Sequence, residues 1–247
     1  MDRLVYTSLS ALRGAMARQA STANNLANAN TVGFRAEIAN QRPLWIEGQG
    51  FDARALASEE VLAADMSEGT VSETGRALDI AMEGDALLAV QADNGEEAYT
   101  RRGDLQLSDT GLLTTGAGNP VLGEQGPVTL PPADSVKIDK DGSIWIVPTG
   151  GDPNLPQQVG RLKLASPVGS NVAKGLDGLF RVVGGGALPS DPLARVNSGS
   201  LEGSNVNPTK ALVDMIEASR AWDQQLKLIT TTRELDSATA DLMRLPS

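Results

Sequence analysis

Only a few short stretches of this chain hold residue types whose spacing could support chemistry. Glu83 and Asp85 are paired carboxylates of the kind that serve as acid and base in glycoside cleavage. "DKDG" at Asp139–Gly142 echoes the opening of a calcium loop, in which alternate carboxylates supply oxygen ligands. Asn207-Pro208-Thr209 could suggest backbone self-cleavage after asparagine, and the run Gly184–Gly186 could cradle a phosphate. Each has a simpler reading. Between Gly50 and Thr110 there are 14 carboxylates against four arginines, so Glu83 and Asp85 read as part of a solvated face. "DKDG" lacks the downstream ligands and the bidentate Glu, and Ile138 and Ile144 flank it like strands, which makes it a β-turn. No Lys-Ser/Thr follows the glycines. Asn207 and Pro208 suit an N-cap and the first helical position. The chain has no Cys and no His, which removes disulfides, the usual zinc sites and the Ser-His-Asp and Cys-His arrangements. No catalytic residue, metal site or cofactor is expected, and the chain reads as no enzyme.

What remains is the set of elements themselves. Val5, Leu9, Leu12, Met16, Ala23 and Leu26 recur at helical spacing in an Ala-rich segment free of Pro. That helix should stop between Asn28 and Gly33, where Asn and Gly tolerate a left-handed cap, and Phe34 is an apolar anchor beyond the turn. Near the other end, Leu212, Met215, Ile216, Ser219, Trp222, Leu226 and Ile229 make one stripe, with Leu228, Leu235, Leu242 and Leu245 on a shifted face. Between the two, short runs such as "DALLAVQ", "EEAYTRRG", "GLLTT" and "SIWIV" are punctuated by Asn94-Gly95, Asp109-Thr110-Gly111 and "DKDG", and predict hairpins.

The fold expected is α+β: terminal helices forming a coiled-coil-like module around a central all-β domain. Its predicted divisions are an N-terminal helix (1–35), an extended linker (36–74) with a strand near Leu44–Ile46, a β domain (75–190), a second linker (191–205) and a C-terminal helix (206–247). Seams at both ends ask for partners, and the two helices are natural partners for each other. Leu9, Leu12, Met16, Leu26, Leu212, Ile216, Trp222, Leu226 and Ile229 then belong either to an intrachain core or to seams shared between subunits, and both readings can hold in part.

Asn24, Asn25 and Asn28 lie where the apolar stripe would continue. They are either a helix cap with exposed polar neighbours, or buried amides that face other helices and set their stagger, since a buried amide demands one partner and hence one register.

The formal net charge is −10, against a general nucleic-acid-binding role. The charge is uneven: the first 35 residues hold four Arg and one Asp, and the stretch from Val206 onward holds six acids and five bases. The middle therefore reads as solvated and the ends as able to pack on other protein. No apolar run approaches the roughly 18 residues of a membrane span, and "MDRLVYTSLSAL" lacks a signal-peptide core, so the chain is expected to be cytoplasmic or exported without a cleaved signal peptide.

"ANNLANANTVGFR" resembles the N-terminal signature of the bacterial flagellar rod, hook and hook-associated axial proteins, and "MDRLVYTSLSAL" is more specifically similar to their proximal-rod members. "TGRALDIAMEGDALLAVQ", "EEAYTRRGDLQLSDTGLLTT" and "GNPVLGEQGPVTLPP" look like the family's central domain, and "GSLEGSNVNPTKALVDMIEASRAWDQQLKLI" like its C-terminal signature. The resemblance spans nearly the whole chain in order. It departs at Ala86, Leu87 and Leu88, where Gly and two aromatics are common, and at Trp222, where Tyr or Phe is usual. The resemblance implies a structural subunit of the basal-body rod, exported by the flagellar type III apparatus and polymerising in the periplasm with itself and other rod proteins. Its helices would form an inner tube with the β domain outside, without membrane insertion. Another axial protein of the distal rod or hook is the alternative, and a secreted carbohydrate-active enzyme a more distant one.

Overall fold

The structure is a computed structural model that describes residues 2–45 and 55–243. The side chains of residues 1–8, 39–63, 236 and 241–247, with those of Val5, Leu44 and Leu242, lie outside the described set, as do Ile46 and Leu245. The chain divides into two compact units, one built from 1–27, 37–63 and 207–247, the other from 28–36 and 64–206.

The first unit contains helix α1 (Asp2–Ala27), helix α2 (Pro208–Met243) and a two-stranded sheet of Glu37–Trp45 with Ala55–Ala64. The start of α2 follows from its residue types. Asn207 Oδ1 accepts from Lys210 N (3.1 Å), the Asn207 carbonyl accepts from Ala211 N (3.0 Å), and Pro208 stands at the position that has no use for an N–H. The two helices pack on each other, and among the described residues the buried ones are small: Gly14, Ala15 and Ser21 on α1, Ala211 and Ala218 on α2. Small side chains let the two backbones approach closely.

The second unit carries a five-stranded antiparallel sheet in the order Leu164–Ala165, Leu87–Gln91, Glu97–Thr100, Phe180–Val182, Val172–Lys174. A three-stranded sheet joins Ala133–Ile138, Ser143–Pro148 and Gln157–Arg161. In the Leu87–Thr100 hairpin Val90 faces Ala98 across the ladder, and the turn closes with Gly95 N on the Ala92 carbonyl (2.8 Å). Both faces of Leu87–Gln91 are covered. Leu88 and Val90 enter a large core with Ile80, Leu105, Leu113, Ile138 and Ile144, whereas Leu87 and Ala89 enter a second one with Tyr99, Ala165 and Phe180. The period-2 geometry of a strand thus shares one run between two cores. The leucines that depart from the family pattern, Leu87 and Leu88, fill one core each.

The segments expected as linkers hold strands. Val71–Glu73 pairs with Ser200–Glu202, and Ile80–Met82 with Val196–Ser198, so residues 71–82 and 196–202 belong to the β unit. Residues 37–45 and 55–64 pair as a two-stranded sheet where an extended connector with one strand was expected. The reason is that these partners are remote in sequence or weakly patterned, so neither strand of a pair announces the other.

Candidate assembly surface

The apolar residues expected to form seams lie mainly on the outside of the first unit. Met16 is 55% exposed, Ile216 54% and Leu212 49%. Leu9 and Leu226 are also exposed, and Leu12, Leu26, Trp222 and Ile229 are half-buried. The helices therefore bury alanines and leave large aliphatic side chains in water, the reverse of a self-sufficient helical pair. Leu228 and Leu235 are exposed as well, so α2 presents apolar surface on more than one side.

The asparagines make specific bonds within the chain. Asn25 Nδ2 donates to the Glu37 carbonyl (2.9 Å) while its Oδ1 accepts from Glu37 N (2.7 Å). Asn24 Nδ2 donates to Glu37 Oε1 at 2.6 Å, and Ser21 Oγ reaches the same Glu37 carbonyl at 3.4 Å. One amide side chain matches both polar groups of an extended peptide, so α1 grips the first residue of the strand Glu37–Trp45. Within the chain, then, Asn24 and Asn25 are engaged with Glu37. Asn28 follows the end of α1 and takes Thr31 N and Thr31 Oγ1, each at 3.1 Å, in a closing turn.

Asn28 and Phe34 belong to the second unit. Lys174 Nζ lies 3.6 Å from the centre of the Phe34 ring and donates to the Arg35 carbonyl at 3.1 Å. The next residue, Arg35, opens a cluster that sequence reasoning did not find. Arg35 Nη1 lies 2.6 Å from Glu202 Oε1, and Arg101 Nη2 lies 2.6 Å from Glu202 Oε2, with all three side chains 1% exposed. Arg101 also donates to the carbonyls of Met82 (3.0 Å) and Ala86 (2.7 Å) and to that of Gly84. Burial lowers Arg101 from its ordinary value and the facing Glu202 opposes that shift. The only signal in the sequence was the placement of Arg35 and Glu202 inside the two quoted terminal signatures.

The stretches with possible chemistry resolve locally. Glu83 and Asp85 are exposed. "DKDG" closes as a turn in which Gly142 N meets the Asp139 carbonyl (2.9 Å), and the Asp141 carboxylate accepts from Ser143 N (3.1 Å) and Oγ (2.8 Å). Those bonds, the backbone one first, hold Asp141 below the usual carboxylate range. Among the described residues no group of three or more His, Cys, Asp or Glu is placed to hold a metal ion, and no helix is long and apolar enough to cross a membrane.

The comparisons with known proteins give the class, the structural proteins of the flagellar axis. Residues 5–35 match the family described as "Flagella basal body rod protein", residues 81–146 the "Flagellar hook protein FlgE/F/G D1 domain", and residues 197–242 the "Flagellar basal body rod FlgEFG protein C-terminal". The flagellar basal-body rod protein FlgF of Salmonella typhimurium is 41% identical over 99% of this chain and 100% of its own length. FlgF of Escherichia coli is 42% identical over 94% of each chain, and FlgG of Bacillus subtilis 30% identical over 99% of this chain and 100% of its own. The chain belongs to the flagellar basal-body rod proteins, and within them to the FlgF type.

Proposed function

We propose that this rod subunit acts in the proximal part of the flagellar drive shaft, as a nonenzymatic building block. It polymerises with copies of itself and with other rod proteins in the periplasm, after export through the flagellar type III apparatus without a cleaved signal peptide. It neither binds nucleic acid nor inserts in a membrane. In the assembled rod α1 and α2 share coiled-coil-like seams with the helices of neighbouring subunits, while residues 75–190 stay folded as the β domain. Leu9, Leu12, Met16, Leu26, Leu212, Ile216, Trp222, Leu226 and Ile229 line those seams.

The observation that carries this reading is the inversion of size and burial on the terminal helices. Ile216, Leu212 and Leu226 keep 54%, 49% and 40% of their surface in water. Covering each of them contributes on the order of 1 kcal/mol, so a few such residues repeated over several neighbours hold a subunit firmly. A carboxylate at such a position blocks the seam and leaves the β unit untouched.

The test is complementation of a strain lacking the gene, read by swimming and by electron microscopy of purified basal bodies. The wild-type chain restores rods and swimming, Leu226→Asp restores neither, and Leu155→Asp, at an exposed position on the β unit, restores both. Full swimming with Leu226→Asp at normal protein level would overturn the seam assignment.

A further inference from the structure

The backbone passes four times between the two units, at 27/28, 36/37, 63/64 and 206/207. Within the second unit, the segments that lead to those crossings are 28–36, 64–70 and 200–206, and two side chains lace them together. Asn205 Oδ1 accepts from Ala36 N at 2.7 Å, and its Nδ2 donates to the carbonyls of Asp65 (2.8 Å) and Ser67 (3.0 Å). Asn205 N in turn donates to the Phe34 carbonyl (3.3 Å), and Asp65 N to the Ala36 carbonyl (2.8 Å). Glu202 repeats the pattern one turn of chain away. Its Oε1 accepts from Gly69 N at 2.8 Å and faces Arg35, its Oε2 accepts from Arg101 Nε at 2.8 Å, and its own carbonyl accepts from Gly33 N at 2.8 Å. One carboxylate therefore touches every crossing segment and, through Arg101, the β core.

We infer that Glu202 and Asn205 form a clasp that makes all the crossing segments one mechanical piece of the β unit. This rests on the rod-subunit reading, in which load applied to the helices is passed along the backbone of those segments. A buried carboxylate is tolerated only with its counter-charges and donors in place, so the partners of Glu202 assemble together or not at all. Without it, two buried guanidiniums face each other with no counter-ion between them, and the three segments separate jointly. Glu202 and Asn205 are thus positioning residues for assembly, distinct from the seam residues on the helices.

The experiment is hydrogen exchange by mass spectrometry on the full chain, comparing wild type with Glu202→Gln and Asn205→Ala. Peptides covering 28–36, 64–70 and 200–206 exchange faster together in both variants, by about tenfold or more, while 87–91 and 97–100 keep their protection. The same variants, produced at wild-type level in the deletion strain, give fewer rods and slower swimming. Faster exchange confined to the substituted residue's own segment, or equal across the whole β unit, overturns the clasp. A loosened clasp with normal swimming also overturns its role in assembly. Should Glu202→Gln fail to fold, Asn205→Ala leaves the ion cluster intact and decides alone. Normal swimming of the deletion strain itself refutes the rod reading, and the exchange data still decide the clasp.

Discussion

Gly33→Ala and Gly95→Ala make a matched pair in which backbone conformation is similar and surroundings differ. Both glycines have positive φ, 66° and 83°. A Cβ on Gly95 meets nothing within 4 Å, whereas one on Gly33 comes to 2.3 Å from the Arg101 carbonyl oxygen. At Gly95 only the left-handed conformation counts, about 1 kcal/mol once the stiffer unfolded chain is credited. At Gly33 the same cost applies, and an ordinary carbon–oxygen approach of about 3.3 Å forces the backbones roughly 1 Å apart. That shift strips the 2.8 Å bond from Gly33 N to the Glu202 carbonyl. Leaving such a buried donor unmet adds about 1–3 kcal/mol. The totals convert to a fall in melting temperature of about 2–4 °C for Gly95→Ala and about 4–16 °C for Gly33→Ala. Thermal unfolding of the two purified variants followed by circular dichroism measures both. Equal shifts would refute the idea that close backbone approach, rather than φ alone, requires glycine at position 33.

Tyr99→Phe removes a hydroxyl that donates to Glu97 Oε1 (2.6 Å) and accepts from the buried Leu188 N. The expected loss is about 1–3 kcal/mol in a urea titration. Burial, then the bond to Glu97, raises the Tyr99 phenol above its ordinary value. A raised folded-state pKa means that its contribution is whole below about pH 10, where the unfolded phenol ionises, and is lost as pH rises beyond it. Wild type should therefore lose stability above that pH more steeply than Tyr99→Phe. Asn25→Ala removes both of its bonds to the Glu37 backbone, and the half-buried position of Glu37 lets water replace part of the loss; we expect about 1–2 kcal/mol, read as faster exchange of the Glu37 amide.

Legibility in the sequence followed distance along the chain. α1 and α2 announced themselves by apolar period, and Asn207-Pro208 marked the start of α2, because helix signals lie within a few residues of one another. Hairpins with a turn signal between their strands, such as Leu87–Thr100 and Ala133–Pro148, were visible for the same reason. Val71–Glu73 was not, since its partner Ser200–Glu202 lies far along the chain and three exposed residues carry no pattern. The buried ion cluster was hidden more deeply. Glu202 looks like any surface acid until Arg101, 101 positions earlier, is folded against it. Asn25 gave a partial signal: an amide on a helix end demands a partner, and its type was readable while its partner Glu37 was not.

The grip of α1 on Glu37 has a bearing on edge strands. In an extended chain the N–H and C=O of one residue point to the same side, and those of its neighbour to the other. Ala36 turns its carbonyl to Asp65, so Glu37 presents its pair on the opposite side, where Asn25 occupies both. An unfilled pair at that place would be a template for a stray strand. A single amide thus fills that pair at the point where the strand begins.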